Sequence, residues 1–129
     1  MSDKKSTYTI EPTIEVNFTS QDIDDIMVCA LEGGINYWCR QAKVVGKYLG
    51  EYASDQISRG GTLILYDAES SDKWELTLGK FLNGMKLAVE QGVGLGFNPA
   101  DGSIDTGDID ADAADAIVQL ALFGEVVFG

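Results

Sequence analysis

Apolar and small residues recur at helical spacing between Ile23 and Trp38, with Ile23, Ile26, Met27, Ala30, Leu31, Gly34, Tyr37 and Trp38 on one stripe. The spacing predicts one helix over 20–40, because the stripe keeps its phase across Gly33-Gly34 and no proline follows. Thr19 or Ser20 can accept from the free N–H groups at its start, and Asp22, Asp24 and Asp25 put negative charge near the positive end of the helix dipole. Each mid-helix glycine costs ~1 kcal/mol relative to alanine. Gly33 and Gly34 are therefore expected to face another element that approaches closely, with a ligand on the bare backbone as the alternative.

Before that stretch, Ile14, Val16 and Phe18 alternate with Glu15 and Asn17, which predicts a strand over 14–18. After it, Val44, Val45, Tyr48, Leu49 and Tyr52 are interrupted by Gly46 and Gly50, the pattern of a short strand or an irregular segment. Ser54 can cap a helical turn through Ile57 that ends at Gly60-Gly61. Two β-favouring runs, 62–69 and 73–77, read as a hairpin. Thr77 can cap a second helix over 78–91, on which Leu78, Phe81, Leu82, Met85 and Val89 share a face. A glycine-rich loop precedes a third helix over 109–123, whose stripe is Ile109, Ala113, Ala116, Ile117, Leu120 and Ala121. Val118, Leu122 and Phe123 make its last turns apolar on other sides as well, so this helix is expected to be central or covered by a partner. The apolar segment from Val118 to Phe128 suggests a buried terminus or a homodimer contact, with EVVFG returning to the sheet as an edge strand. Residues 1–12 read as a flexible arm and 13–129 as a single α+β domain, about three helices packed on a small, mainly antiparallel β-sheet.

A length of 129 residues and 45% hydrophobic content suit one domain with its own core. On the 20–40 helix Cys29 and Cys39 would sit about 15 Å apart along the axis, too far to bridge, which fits free thiols in a reducing cytoplasm. No apolar run approaches the ~20 residues needed to span a bilayer, so a cytoplasmic, soluble protein is expected. Charge changes the picture most: 21 acidic residues stand against 9 basic ones. The last lysine is Lys86; after it come Glu90, Asp101, Asp105, Asp108, Asp110, Asp112, Asp115 and Glu125, with no base among them. Such an end repels nucleic acid directly, and either binds a basic groove on another protein or keeps the chain in solution.

Histidine is absent, which removes the commonest general base and zinc ligand, and no enzyme activity, cofactor or metal is expected. Cys39 beside Arg40 makes only a weak case for a reactive thiolate. The run from Asp101 to Ile109 imitates the later half of a calcium loop, but counting back places Phe97 and Pro99 where oxygen ligands belong; a turn with capping aspartates is the simpler reading. GVGLG at 92–96 follows a helix, whereas a dinucleotide loop follows a strand. Arg40, Lys43, Lys47 and Arg59 gather most of the mid-chain positive charge. With Tyr37, Trp38, Tyr48 and Tyr52 they can line an anion or nucleotide site, for which Tyr37, Trp38, Arg40 and Arg59 are the candidate residues, or simply border a partly buried aromatic core.

Three segments, DIDDIMVCALEGGINYWCR, YASDQISRGGTLILYDAES and DAIVQLALFGEVVFG, resemble an uncharacterised family of small acidic proteins encoded by bacteriophages and mobile elements of Gram-positive bacteria. The EGG-x-x-YW portion from Glu32 to Trp38 is the most distinctive. The resemblance implies an accessory factor that works in the host cytoplasm by binding host machinery, including immunity proteins, and it transfers no residue roles. Two functions follow: a protein-binding antagonist that meets a basic host surface through Asp101, Asp105, Asp108, Asp110 and Asp112, or a protein that sequesters a small ligand or nucleotide at the aromatic and arginine cluster.

Overall fold

The computed structural model describes residues 6–129, so the expected arm 1–12 lies partly outside the described residues, Lys4 and Lys5 included. The architecture is α+β, with four helices and a three-stranded antiparallel sheet. Helix α1 is Ser20–Cys29, and its start is a capping box: Thr19 Oγ1 accepts from the Asp22 N–H at 3.1 Å, and the Asp22 carboxylate accepts from the Thr19 N–H at 2.9 Å. A π-helical turn, Ala30–Gly34, follows directly.

There the expected 20–40 helix breaks. The Ile35 N–H still reaches back to the Ala30 carbonyl at 3.0 Å, but the next residues turn, and Cys39–Val44 form strand β1. Gly33 and Gly34 do stay helical, yet they differ. A Cβ at Gly34 would lie 2.7 Å from the Ala111 carbonyl oxygen, while one at Gly33 would meet nothing within 4 Å. Only Gly34 answers to close packing.

Strand β1 pairs antiparallel with β2, Leu63–Asp67, and β2 with β3, Lys73–Leu76, in the order β1-β2-β3. The β2–β3 hairpin is the expected one. Its period-two pattern buries Leu63 and Leu65, with Leu76 opposite Leu63. The β1–β2 register slips between Cys39 and Gln41, leaving a bulge at Arg40. The expected strand over 14–18 does not join the sheet. Asn17 instead makes a single parallel bridge with Ser103, its N–H donating to the Gly102 carbonyl at 2.6 Å, and Ile14, Val16 and Phe18 border a groove against α2.

Helix α2 is Leu78–Glu90, capped by Thr77 as expected, and α3 is Ala111–Phe123, capped by Asp110. The two approach closely at Gly84, where a Cβ would lie 2.7 Å from the Ile117 carbonyl oxygen. Helix α3 is central: it packs on α2, the π-helical turn, α1 and β3, and its residues from Ile117 to Ala121 are all buried. That accounts for its apolar residues on several sides without a second molecule. Between β1 and β2 lie two short 3-10 turns, Ala53–Asp55 and Ile57–Arg59, the second closed by Gly60 at φ 82°. The buried Gln56 amide stitches the preceding loop, accepting from the Leu49 N–H and donating to the Leu49 and Tyr52 carbonyls.

The two neighbouring glycines give a paired test. Gly34→Ala should destabilise by ~1–3 kcal/mol, because the new methyl meets a backbone carbonyl that cannot withdraw. Gly33→Ala should stabilise by ~0.5–1 kcal/mol, since it removes only backbone freedom. Thermal melting of both variants checks this; equal effects would mean that α3 does not lie on Gly34.

Candidate functional site

Capping and turn geometry hold the acids after Lys86 where they are. The Asp101 carboxylate accepts from the Ser103 hydroxyl at 2.7 Å and the Ser103 N–H at 2.9 Å, which together hold it below the ordinary carboxylate range. Asp105 accepts from the Gly107 N–H at 2.9 Å, and Asp110 from the Ala113 N–H at 2.8 Å as the cap of α3. These are Asx turns and a helix cap, and among the described residues no group of three or more acids and cysteines is arranged to hold a metal ion.

Asp101, Asp105, Asp108, Asp110 and Asp112 are all exposed. The sequence reading missed that α1 and the π-helical turn add to the same surface. The half-buried Asp25 carboxylate accepts from the Thr106 hydroxyl at 3.0 Å, beside Asp105 and Asp108. Glu32 and Asp110 both lie close enough to Cys29 to add to the effect of burial in pushing its thiol up. The result is a ridge along 101–112 flanked by Asp25 and Glu32. Among the described residues the only ion pairs are those of Arg59 with Asp24 and Asp55, and none of them reaches an aspartate of the 101–112 ridge.

At the Asp112 end the ridge meets a buried polar network. Asp115 on α3, 8% exposed, accepts from the Trp38 indole N–H at 2.7 Å, the Tyr37 hydroxyl at 2.5 Å and the Gln119 amide at 2.8 Å. Burial first, then the bond to Asp115, push the Tyr37 phenol up to about 12. Gln119 is fully buried and holds the tail: its carbonyl oxygen accepts from the Val127 and Phe128 N–H groups, both at 2.7 Å. The tail therefore docks on a side chain instead of joining the sheet as an edge strand. Trp38, Trp74, Phe123 and Phe128 form one aromatic cluster beside this network.

Comparison with known protein families, curated proteins and solved structures gives no match.

The alternative ligand residues are not brought together around a cavity. Trp38 is 2% exposed, and Tyr37 is tied to Asp115. Arg40 lies over the Tyr66 ring and donates to the Asp67 carbonyl, while Arg59 pairs with Asp24 across from α1. Lys43, Lys47, Tyr48 and Tyr52 are exposed on β1 and the loop after it. An apolar groove of 620 Å³ between residues 12–18 and α2 offers only Lys86 and Glu90 as charged groups. Cys29 and Cys39 are free, and burial pushes both thiols up, away from reactive thiolate. The residues missed from sequence, Asp115 and Gln119, did carry a signal: two polar side chains four apart inside the most apolar helix.

The Tyr37 phenol makes a pH prediction. A phenol that ionises near 10 in the unfolded chain and at about 12 in the native state contributes stability that is complete below about pH 10 and is lost as pH rises through about 12. Tyr37→Phe should remove that component, so melting curves between about pH 9 and 12 should fall less steeply for the variant. Superimposable alkaline profiles would show that the bond to Asp115 does not distinguish phenol from phenolate.

Proposed function

We propose that this protein is a non-enzymatic binding protein that engages a basic protein surface through its acidic ridge. This agrees with the phage-type resemblance and with antagonism of a host factor, an immunity protein being one such target. The observation that carries the reading is the lack of compensation: five exposed aspartates over 101–112 with no ion pair to any of them among the described residues. A chain that needed charge only for solubility gains nothing from gathering it, whereas a gathered field steers a basic partner and speeds encounter.

Exposed charge pairs contribute only ~0–1 kcal/mol each, so affinity needs several acids acting together and an apolar anchor. Phe123 is spent inside the aromatic cluster and Phe97 is half-buried. The Tyr37 ring, 54% exposed at the Asp112 end of the ridge, supplies that anchor.

Replacing Asp101, Asp105 and Asp108 together with asparagine keeps the side-chain oxygens that accept the turn hydrogen bonds, so melting should change little. Association with basic proteins captured from a host lysate should slow, and its dependence on salt should flatten. If the triple variant associates as fast as the parent at low salt, the ridge is not the binding surface.

A further inference from the structure

The cluster around Phe128 has the form of a binding site with an occupant already in it. Phe128 stacks on Trp38 with ring centroids 5.0 Å apart and planes 5° from parallel, and it meets Trp74 and Phe123 edge-on at 6.0 and 5.9 Å. Gln119 reads the backbone around it, accepting from two successive N–H groups and donating to the Phe128 carbonyl at 3.3 Å. The receiving side is held in place by groups outside the tail: Asp115 fixes both the Gln119 amide and the Trp38 indole. Among the described residues the backbone of the occupant is held by the Gln119 side chain. Beyond Gly124, which closes α3 at φ 73°, the tail makes no backbone-to-backbone hydrogen bond among the described residues, and Val126 and Val127 are 51% and 55% exposed.

We propose that the slot formed by Trp38, Trp74, Phe123 and Gln119 is a peptide-binding site closed by the chain's own tail, and that it takes from a basic partner an extended segment with a phenylalanine after a branched aliphatic residue. The chemistry of the ligand is that of the tail itself: two consecutive N–H groups for Gln119 and a flat ring for Trp38. The partner's charge is argued from the surroundings. Asp112 and the Tyr37 end of the ridge adjoin the slot, and a net charge of −12 sets a second copy of this chain against the first. The slot itself stands on its own geometry; the basic character of the partner rests on the function proposed for the ridge.

The experiment uses the full chain carrying Phe128→Ala, which leaves the slot without its ring. Three capped peptides are titrated, Lys-Val-Val-Phe-Lys, Gln-Val-Val-Phe-Gln and Lys-Val-Val-Ala-Lys. The readouts are tryptophan fluorescence and the Trp38 indole N–H resonance, and both tryptophans of the chain border the slot. The lysine-flanked phenylalanine peptide should bind the variant saturably, and the parent at least about tenfold more weakly, because the tethered tail competes at an effective concentration on the order of mM. Exchanging phenylalanine for alanine in the peptide should cost at least about tenfold. At low salt the glutamine-flanked peptide should bind several-fold more weakly than the lysine-flanked one, and high salt should erase the difference.

A variant that keeps its helical circular dichroism yet gives no saturable response, or that binds the alanine peptide equally well, would make the tail ordinary core and overturn the slot. Equal binding of lysine- and glutamine-flanked peptides at low salt would overturn the basic partner while the slot stands. Dimers of the parent with exchanged tails would make a second copy the occupant and overturn the basic partner too. Should Phe128→Ala not fold, Phe128→Leu, which keeps an apolar side chain under the rings, takes its place with the same peptides and criteria.

Discussion

A buried carboxylate with no cation beside it among the described residues sets the terms for this fold. Removing a charged group from water costs several kcal/mol unless hydrogen bonds replace its hydration. Asp115 finds them in three neutral donors, Tyr37, Trp38 and Gln119. The first two come from the far side of Gly34, so the chain has to leave its helix there to present them. The same departure puts α3 against the bare backbone of Gly34 and sends residues 39–44 into the sheet. Through Gln119 the network then reaches the tail. The EGG-x-x-YW stretch and the terminal run thus meet at one carboxylate, and their residues serve structure there.

Most of the helical framework was legible in the sequence because local signals and tertiary packing agree. Capping residues and a continuous stripe mark α2 and α3 to within two residues, and the hairpin follows from two alternating runs with a polar turn between them. The first helix misled where those levels part. Tyr37 and Trp38 fall on the helical stripe by spacing, yet their polar tips are needed by α3, and a hydrogen-bond requirement overrode a pattern that registers only apolar character. The strand expected over 14–18 failed for a related reason: alternation shows that one side is covered, without saying whether a sheet or a helix covers it. Of the candidate site, the aspartates of 101–112 were legible as charge, but Asp25 and Glu32 were not, since only folding brings the first helix beside them. The arginine and tyrosine cluster was close in sequence and is scattered in space.

Charge and apolar surface are arranged here with a common logic. Among the described residues the one base that pairs is Arg59, on the 3-10 turns. The turn-forming aspartates of the ridge are fixed by short local bonds, so on the function proposed above they would lose little freedom on binding. Where the ridge ends, aromatic groups begin.

The bulge at Arg40 bears on how the molecule stays out of unwanted assemblies. Strand β1 is one outer strand of the sheet, and a regular outer strand invites another chain to continue the hydrogen-bond ladder. Here the strand is six residues long, its register slips after Cys39, and Arg40 and Lys43 stand exposed along it. A kinked ladder carrying like charges has no straight run to offer a neighbour, and two such borders brought together would set arginine and lysine against their own kind. The same small irregularity that accompanies Arg40 lying across Tyr66 thus disfavours growth of an ordered ladder through this border.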